Sequence, residues 1–202
     1  MIAIVDYGVG NLFSLRSSFA AIGEDAVVTG DEGVLRQADR LILPGVGAFR
    51  DAMDKLRKTG LHVVIQEEAA RGKPLLGICL GMQMLFEKSL EYGEHEGLGL
   101  LSGTVRPISG VAPAEYKIPH IGWNALSMPR KSRILSRTPE GAYVYFVHSY
   151  YAADCEESVV AVTDYGALLT AAVEKDNVMG CQFHPEKSGN TGLTILKTFC
   201  EA

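Results

Sequence analysis

Short apolar runs alternate with amphipathic stretches through the first half of the chain. Ile2–Val5 is an apolar run that ends in a glycine-rich turn, Asp6-Tyr7-Gly8-Val9-Gly10-Asn11. Apolar residues then recur at Leu12, Leu15, Phe19 and Ile22 and stop at Gly23, the spacing and punctuation of a helix. The same reading gives a strand at 26–28, a helix over 31–38 with Asp31 near its start, and a strand at Arg40–Leu43 stopped by Pro44-Gly45. A helical stretch covers 49–71 with a break near Gly60. A fourth strand follows at 74–78, and 81–87 begins another helix. The second half carries shorter runs at 143–147, 158–163, 168–173 and 178–183. The last three are predicted to be hairpin-connected, with turns at Asp164-Tyr165-Gly166 and Lys175-Asp176-Asn177, before a closing helix over 192–200.

Continuous apolar strands alternating with amphipathic helices imply βαβ units and a parallel sheet buried on both faces. The expected fold is therefore α/β: an open, flavodoxin-like, mostly parallel sheet with helices on both faces, plus a mixed, antiparallel strand extension in the C-terminal half. In such sheets ligands sit beyond the carboxyl ends of the strands. Loops 6–11, 44–48 and 78–81 lie there, and all three are glycine-rich, which lets backbone approach a ligand closely.

Composition narrows the picture without redirecting it. The 202 residues suit one domain, and no repeat or linker divides them. A net charge of −5 argues against a broad nucleic-acid surface and against an anionic membrane face. No apolar run is long enough to span a bilayer, and the N-terminus has no signal-peptide pattern. Cys79, Cys155, Cys181 and Cys200 show no C-x-x-C spacing, so neither a zinc ribbon nor a redox pair is visible. Free thiols in a reducing cytoplasm are expected.

One cysteine stands apart. Gly77-Ile78-Cys79-Leu80-Gly81 follows an apolar strand and precedes a helix, the context of a nucleophile elbow with Cys in place of Ser. The sharp turn favours small flanking residues, pushes the sulfur out over the strand end and leaves the Leu80 N–H free for a developing oxyanion. The helix N-terminus stabilises a thiolate. Alone, the motif also fits a buried core cysteine between packing glycines. A nucleophilic cysteine needs a base. Of the five histidines, His62 and His95 are expected to be solvated surface residues. His184 ends a strand and begins His184-Pro185-Glu186-Lys187; the residue before proline is held extended, and a period of two puts His184 and Glu186 on one side. Glu186 can then hold one imidazole nitrogen while the other faces sulfur. His148 also follows a strand and is the rival base, but it has no carboxylate two residues away and Asp154 is badly placed. A structural or substrate-lining role is expected for it.

Together these residues resemble the class I, triad-type glutamine amidotransferases. Gly77-Ile78-Cys79-Leu80-Gly81-Met82-Gln83 and His184-Pro185-Glu186 carry the likeness. Further blocks resemble, within that family, the glutaminase subunits of imidazole glycerol phosphate synthase: Asp6 to Asn11, Pro44-Gly45-Val46-Gly47-Ala48-Phe49, Pro119-His120-Ile121-Gly122-Trp123-Asn124, Tyr143 to Tyr150, and Gln182 to Ser188. The likeness covers nearly the whole chain. It implies that Cys79 attacks the glutamine side-chain amide, that His184 protonates departing ammonia and then activates water against the thioester, and that Glu186 orients His184. It places the oxyanion on the Leu80 N–H and an N–H of the Gly45-Val46-Gly47 loop, with glutamine gripped by Gln83, Glu91, Gly47 and main chain at Ser149-Tyr150, and with His148 nearby. It implies no cofactor and no metal. It also implies a heterodimer with a (β/α)8-barrel cyclase that receives the ammonia through a channel and makes imidazole glycerol phosphate and aminoimidazole carboxamide ribotide in histidine biosynthesis. Asn11, Trp123, Tyr145 and Lys187 match positions at or near that interface.

Two other readings share some of these features. An amidotransferase of the anthranilate or aminodeoxychorismate type has the same elbow, but the 6–11 loop and Pro119–Asn124 block point to the histidine pathway. A catalytically silent partner-binding protein is argued against by the intact Cys79, His184 and Glu186. One departure stands in the 6–11 loop, where Val9 occupies a position at which many relatives have proline; valine keeps an apolar surface but loses the fixed φ.

Overall fold

The computed structural model describes residues 1–201. The first half runs β1 (Ile2–Val5), α1 (Leu12–Ala21), β2 (Ala26–Thr29), α2 (Glu32–Gln37), β3 (Arg40–Leu43), α3 (Phe49–Lys58), α4 (Leu61–Ala70), β4 (Leu75–Ile78) and α5 (Leu80–Met84). The second half adds β5 (Phe86–Ser89), β6 (His95–Glu96), β7 (Leu101–Pro107), β8 (His120–Ala125), β9 (Tyr143–His148), β10 (Tyr150–Ala153), β11 (Val159–Asp164), β12 (Leu168–Lys175), β13 (Val178–Cys181) and α6 (Gly189–Glu201).

The main sheet has the order β11-β12-β13-β4-β3-β1-β2. From β13 to β2 every pairing is parallel, while β11 and β12 add on in antiparallel sense. Side-chain alternation splits the core into two layers. Ala3, Val5, Leu41, Leu43 and Leu75 pack with α2, α3 and α4 on one face. Ile2, Ile4, Ile42, Leu76 and Ile78 pack with Leu15 and Phe19 of α1 and with Ile195, Leu196 and Phe199 of α6 on the other. Strands buried on both faces are apolar at every position for this reason. The α/β class, the parallel order and the hairpins of β11 to β13 agree with the sequence reading. Asp31 caps α2 by accepting from the Val34 N–H at 2.9 Å, and Gly60 separates α3 from α4 at φ 76°.

The segment 81–87 differs from expectation. The helix stops at Met84, and Phe86 opens a strand that pairs with β7. The N–H groups of Gly97, Leu98 and Leu100 take the carbonyls of Glu87, Met84 and Leu85, each at 2.8 Å, so long-range partners capture acceptors that a continuing helix would use. β5, β6, β7 and β10 form a second sheet in the order β10-β7-β5-β6, and β8 pairs with β9 in a two-stranded ribbon. Of the ribbon only β9 is evident in the hydrophobic pattern, as the run at 143–147, and the second sheet is not evident in it.

Candidate active site

The elbow is built by close approach. Cys79 sits at φ 55° and ψ −113°, between β4 and α5. An L-residue held there costs about 1–3 kcal/mol, so the surroundings have to enforce it. They do: the Cys79 N–H donates to Cys181 O at 2.8 Å, and the Gln83 N–H donates to Cys79 O at 3.2 Å. A Cβ on Gly81 would lie 1.9 Å from Leu43 O, and one on Gly77 would lie 2.7 Å from Gly81 O. The turn therefore excludes any side chain at either flanking position.

His184 is delivered from the neighbouring parallel strand. Its N–H donates to Tyr145 O at 2.9 Å, and the Ser188 hydroxyl donates to His184 O at 2.6 Å. The backbone at His184 is extended, but 185–187 form a 3-10 turn rather than continuing the strand. Glu186 thus meets the imidazole by folding back after Pro185, not by the period-two alternation expected from the sequence. Nδ1 of His184 lies 2.8 Å from Oε1 of Glu186, and both side chains are buried. Nδ1 carries the hydrogen, since the carboxylate can only accept. His184 and Cys79 line the same cavity. Burial disfavours charge on His184, but the neighbouring Cys79 and the bonded Glu186 outweigh it and raise its pKa to about 10.

A cavity of about 300 Å³ opens over the sulfur, lined by Val46, Gly47, Leu80, Gln83, Glu91, His148, Ser149, Tyr150 and His184 as well as Cys79. Gly45 stands behind the lining: a Cβ on it would lie 2.7 Å from the Gly81 N, so the 44–48 loop is pressed against the elbow. Gly47 takes φ 87°. Gln83 is buried, its amide nitrogen donating to Tyr150 O at 3.0 Å and to Gln182 Oε1 at 2.9 Å. Glu91 accepts from the Phe49 N–H at 2.7 Å and so caps α3. His148 is excluded as a base by its bonds. Its Nδ1 lies 2.8 Å from Tyr150 O and its Nε2 2.9 Å from Nδ1 of His120. Burial pushes its pKa down to about 3 and that of His120 to about 4. Asp154 pairs with Arg106. His62 and His95, expected to be solvated, are half-buried, with Nδ1 of His62 and Nε2 of His95 inaccessible.

Four contributors escape the sequence reading. Gln182 donates to Cys79 Sγ at 3.8 Å, Cys79 Sγ faces Val147 O at 4.0 Å, and Pro119 lines the cavity. Tyr7 donates from its hydroxyl to Pro44 O at 2.7 Å, anchoring the start of the 44–48 loop. All four stand in blocks that carry the family likeness, and Gln182 also stands two residues before His184. Outside the cavity, Trp123 is 55% exposed and packs edge-on against Tyr145 at 6.2 Å, with Lys187 Nζ 5.9 Å from the Tyr145 ring centre. Asn11 precedes α1 without a side-chain capping bond. A wider cleft of about 480 Å³ is lined by Lys131, Arg133, Arg137, Glu174 and Glu201, with neither cysteine nor histidine in its lining. Its Arg133–Glu174 and Arg137–Glu201 pairs satisfy one another. Among the described residues no group of His, Cys, Asp and Glu is arranged to hold a metal ion, and no helix is long and apolar enough to cross a membrane.

The chain is similar to known proteins in sequence and in fold. Residues 3–202 match the family model of class-I glutamine amidotransferases. The imidazole glycerol phosphate synthase subunit HisH of Oceanobacillus iheyensis is 50% identical over 202 residues, covering 100% of this chain and 98% of that protein. The HisH subunits of Wolinella succinogenes and Aquifex aeolicus are each 50% identical, over 100% and 97% of this chain and 99% and 94% of their own lengths. Among solved structures, one described as a glutamine amidotransferase superposes with TM-score 0.76 at 19% identity, over 99% of this chain and 100% of that one. The structure of PurLQS from Thermotoga maritima gives TM-score 0.75 at 20% identity, over 99% and 97% of the two chains. These three relatives carry the synthase-subunit name, not that of an anthranilate or aminodeoxychorismate enzyme. By sequence and by fold, the chain belongs to the class-I glutamine amidotransferase family, within the group of imidazole glycerol phosphate synthase HisH subunits.

Proposed function

We propose that Cys79, His184 and Glu186 carry out glutamine hydrolysis for an imidazole glycerol phosphate synthase, and that the whole chain is one amidotransferase domain working in the cytoplasm. The observation that carries the reading is His184, which shares the cavity with Cys79 and is bonded at Nδ1 to a buried Glu186. The glutamine side-chain amide enters the cavity and the sulfur attacks its carbonyl carbon. The oxyanion forms against the Leu80 N–H and an N–H of the Gly45-Val46-Gly47 loop. One such donor is typically worth about 10²–10³-fold in turnover. His184 gives its proton to the departing nitrogen, the C–N bond breaks, and ammonia leaves a glutamyl thioester on Cys79. Water, deprotonated by His184, then attacks the thioester; the C–S bond breaks and glutamate is released. Gln83, Glu91, Gly47 and the Ser149-Tyr150 main chain hold the substrate.

Ammonia is useful only where it is consumed, so the product passes to a (β/α)8-barrel cyclase bound as a heterodimer partner. Trp123, Tyr145, Lys187 and Asn11 supply an exposed aromatic anchor with polar neighbours, the composition that binding hot spots favour. The test is Cys79→Ala in the complete synthase. Glutamine-dependent synthesis should vanish while ammonia-dependent synthesis persists. Loss of both, or of neither, removes Cys79 from its assigned role.

A further inference from the structure

We propose that His120 is a positioning residue for the glutamine site, holding His148, and through it the 147–150 wall of the cavity, by a hydrogen bond of fixed direction. The inference rests on the glutaminase reading above and deepens it.

The direction of every bond in this chain of groups follows from its ends. Tyr150 O can only accept, so the hydrogen of His148 is on Nδ1, 2.8 Å away. A neutral imidazole then has a bare Nε2. That atom lies 2.9 Å from Nδ1 of His120, which has to be the donor. Nε2 of His120 is consequently bare as well, and faces the amide nitrogen of Asn124 at 3.4 Å. The same amide nitrogen donates to Asp164 O at 2.8 Å. Both histidines are buried in neutral form, so turning either ring leaves a buried nitrogen unpaired.

His120 is itself immobilised. Its ring is stacked between Tyr165 and Phe146, with centroids 4.0 Å and 4.8 Å away, and Tyr165 is tied to Lys117 O at 2.8 Å. His120 and His148 are also direct cross-strand partners of β8 and β9. What they hold is the substrate wall. Tyr150 O accepts from both His148 and Gln83, and Val147 O faces the Cys79 sulfur. The fold would be served by an apolar pair at these two positions. A directional polar pair fixes the orientation of a carbonyl and of a cavity-lining imidazole, which packing alone does not do.

The experiment uses the complete synthase and compares His120→Phe, which keeps the stack but has no donor, with His120→Asn, whose amide nitrogen returns a donor near the position of Nδ1. Cys79 alkylation by a diazoketone analogue of glutamine, which needs the substrate site, is set against alkylation by iodoacetamide, which does not. His120→Phe should raise the glutamine KM and slow the analogue by about 5- to 100-fold, as loss of a buried hydrogen-bond partner typically does. Iodoacetamide reactivity and ammonia-dependent synthesis should stay within about twofold, and His120→Asn should recover most of the glutamine affinity. An unchanged KM in His120→Phe, or equal defects in the two variants, overturns the proposal. If His120→Phe does not fold, His120→Ala against His120→Asn makes the same comparison. Failure of the analogue to label even the unaltered protein, with iodoacetamide still reacting, sinks the glutaminase reading instead.

Discussion

Mild acid should destabilise this protein through His120 and His148, and the amount can be worked out from their surroundings. Both start from an ordinary value of 6.5; burial brings His148 to about 3, partly offset by its bond to Tyr150 O, and His120 to about 4. With folded values below the unfolded one, the unfolded chain binds more protons as pH drops below 6.5, and stability is lost progressively down to the folded values. One pK unit is worth about 1.36 kcal/mol, so between pH 7 and pH 5 each histidine costs about 2 kcal/mol. Because the two share a hydrogen bond, the pair together costs roughly 2–4 kcal/mol, a large share of a typical domain stability. His184 acts in the opposite direction. Its raised value, about 10, gives a contribution that is complete below 6.5 and is lost as pH rises toward 10. Urea unfolding of the unaltered chain and of the double variant His120→Phe/His148→Leu, at pH 7 and pH 5, isolates the pair, because His184 is present in both. The unaltered chain should lose roughly 2–4 kcal/mol more than the variant over this interval. Equal losses would refute the reasoning, since they would mean that neither histidine is held neutral by the fold.

Three further outcomes are expected. Glu186→Gln exchanges a charge-assisted bond for a neutral one, a difference of about 1–1.5 kcal/mol, so glutamine turnover should fall about tenfold and the basic limb of its pH profile, set by His184 at about 10, should move to lower pH; an unmoved profile would deny Glu186 its part. Gly81→Ala forces a Cβ to within 1.9 Å of Leu43 O, a backbone atom that cannot yield, and should cost about 3 kcal/mol or prevent folding, with a loss under about 1 kcal/mol by urea denaturation contradicting it. Trp123→Ala should weaken the cyclase complex by about 2 kcal/mol, near 30-fold in a binding titration, while leaving the free chain's unfolding midpoint alone, because the indole is 55% exposed; unaltered affinity would remove Trp123 from the interface.

The parallel core was legible because its residues answer to one constraint. Strands such as β1 and β4, buried on both faces, have no polar position to confuse the reading, and Gly23, Pro44 and Gly60 punctuate the helices between them. The elbow was legible for a related reason: its glycines are demanded by backbone contact, and that demand appears in the sequence as G-x-C-x-G. The second sheet was hidden. Phe86–Ser89 has a mixed burial pattern that looks like the tail of a helix, and only pairing with β7, which lies beyond a loop and β6, makes it a strand. The pairing of His184 with Glu186 was anticipated, but through the wrong backbone path, because a 3-10 turn and an extended tripeptide can bring the same two side chains together. Tyr7 and Val147 were out of reach. Their contributions are a bond to a carbonyl 37 residues away and a main-chain oxygen of no particular identity.

The crowding at Gly81 has a practical meaning for anyone wishing to change what this cavity accepts. β3, the loop that follows it and the elbow at Leu80-Gly81 are in direct backbone contact, so they behave as one casting: enlarging one part displaces the others. The opposite side of the cavity is different. Val147 to Tyr150 lies at the junction of two strands, fixed by a few side-chain bonds that could be rebuilt with other residues. Redesign for a longer or shorter amide substrate therefore has an obvious place to begin, and it is the replaceable wall, with the elbow left untouched.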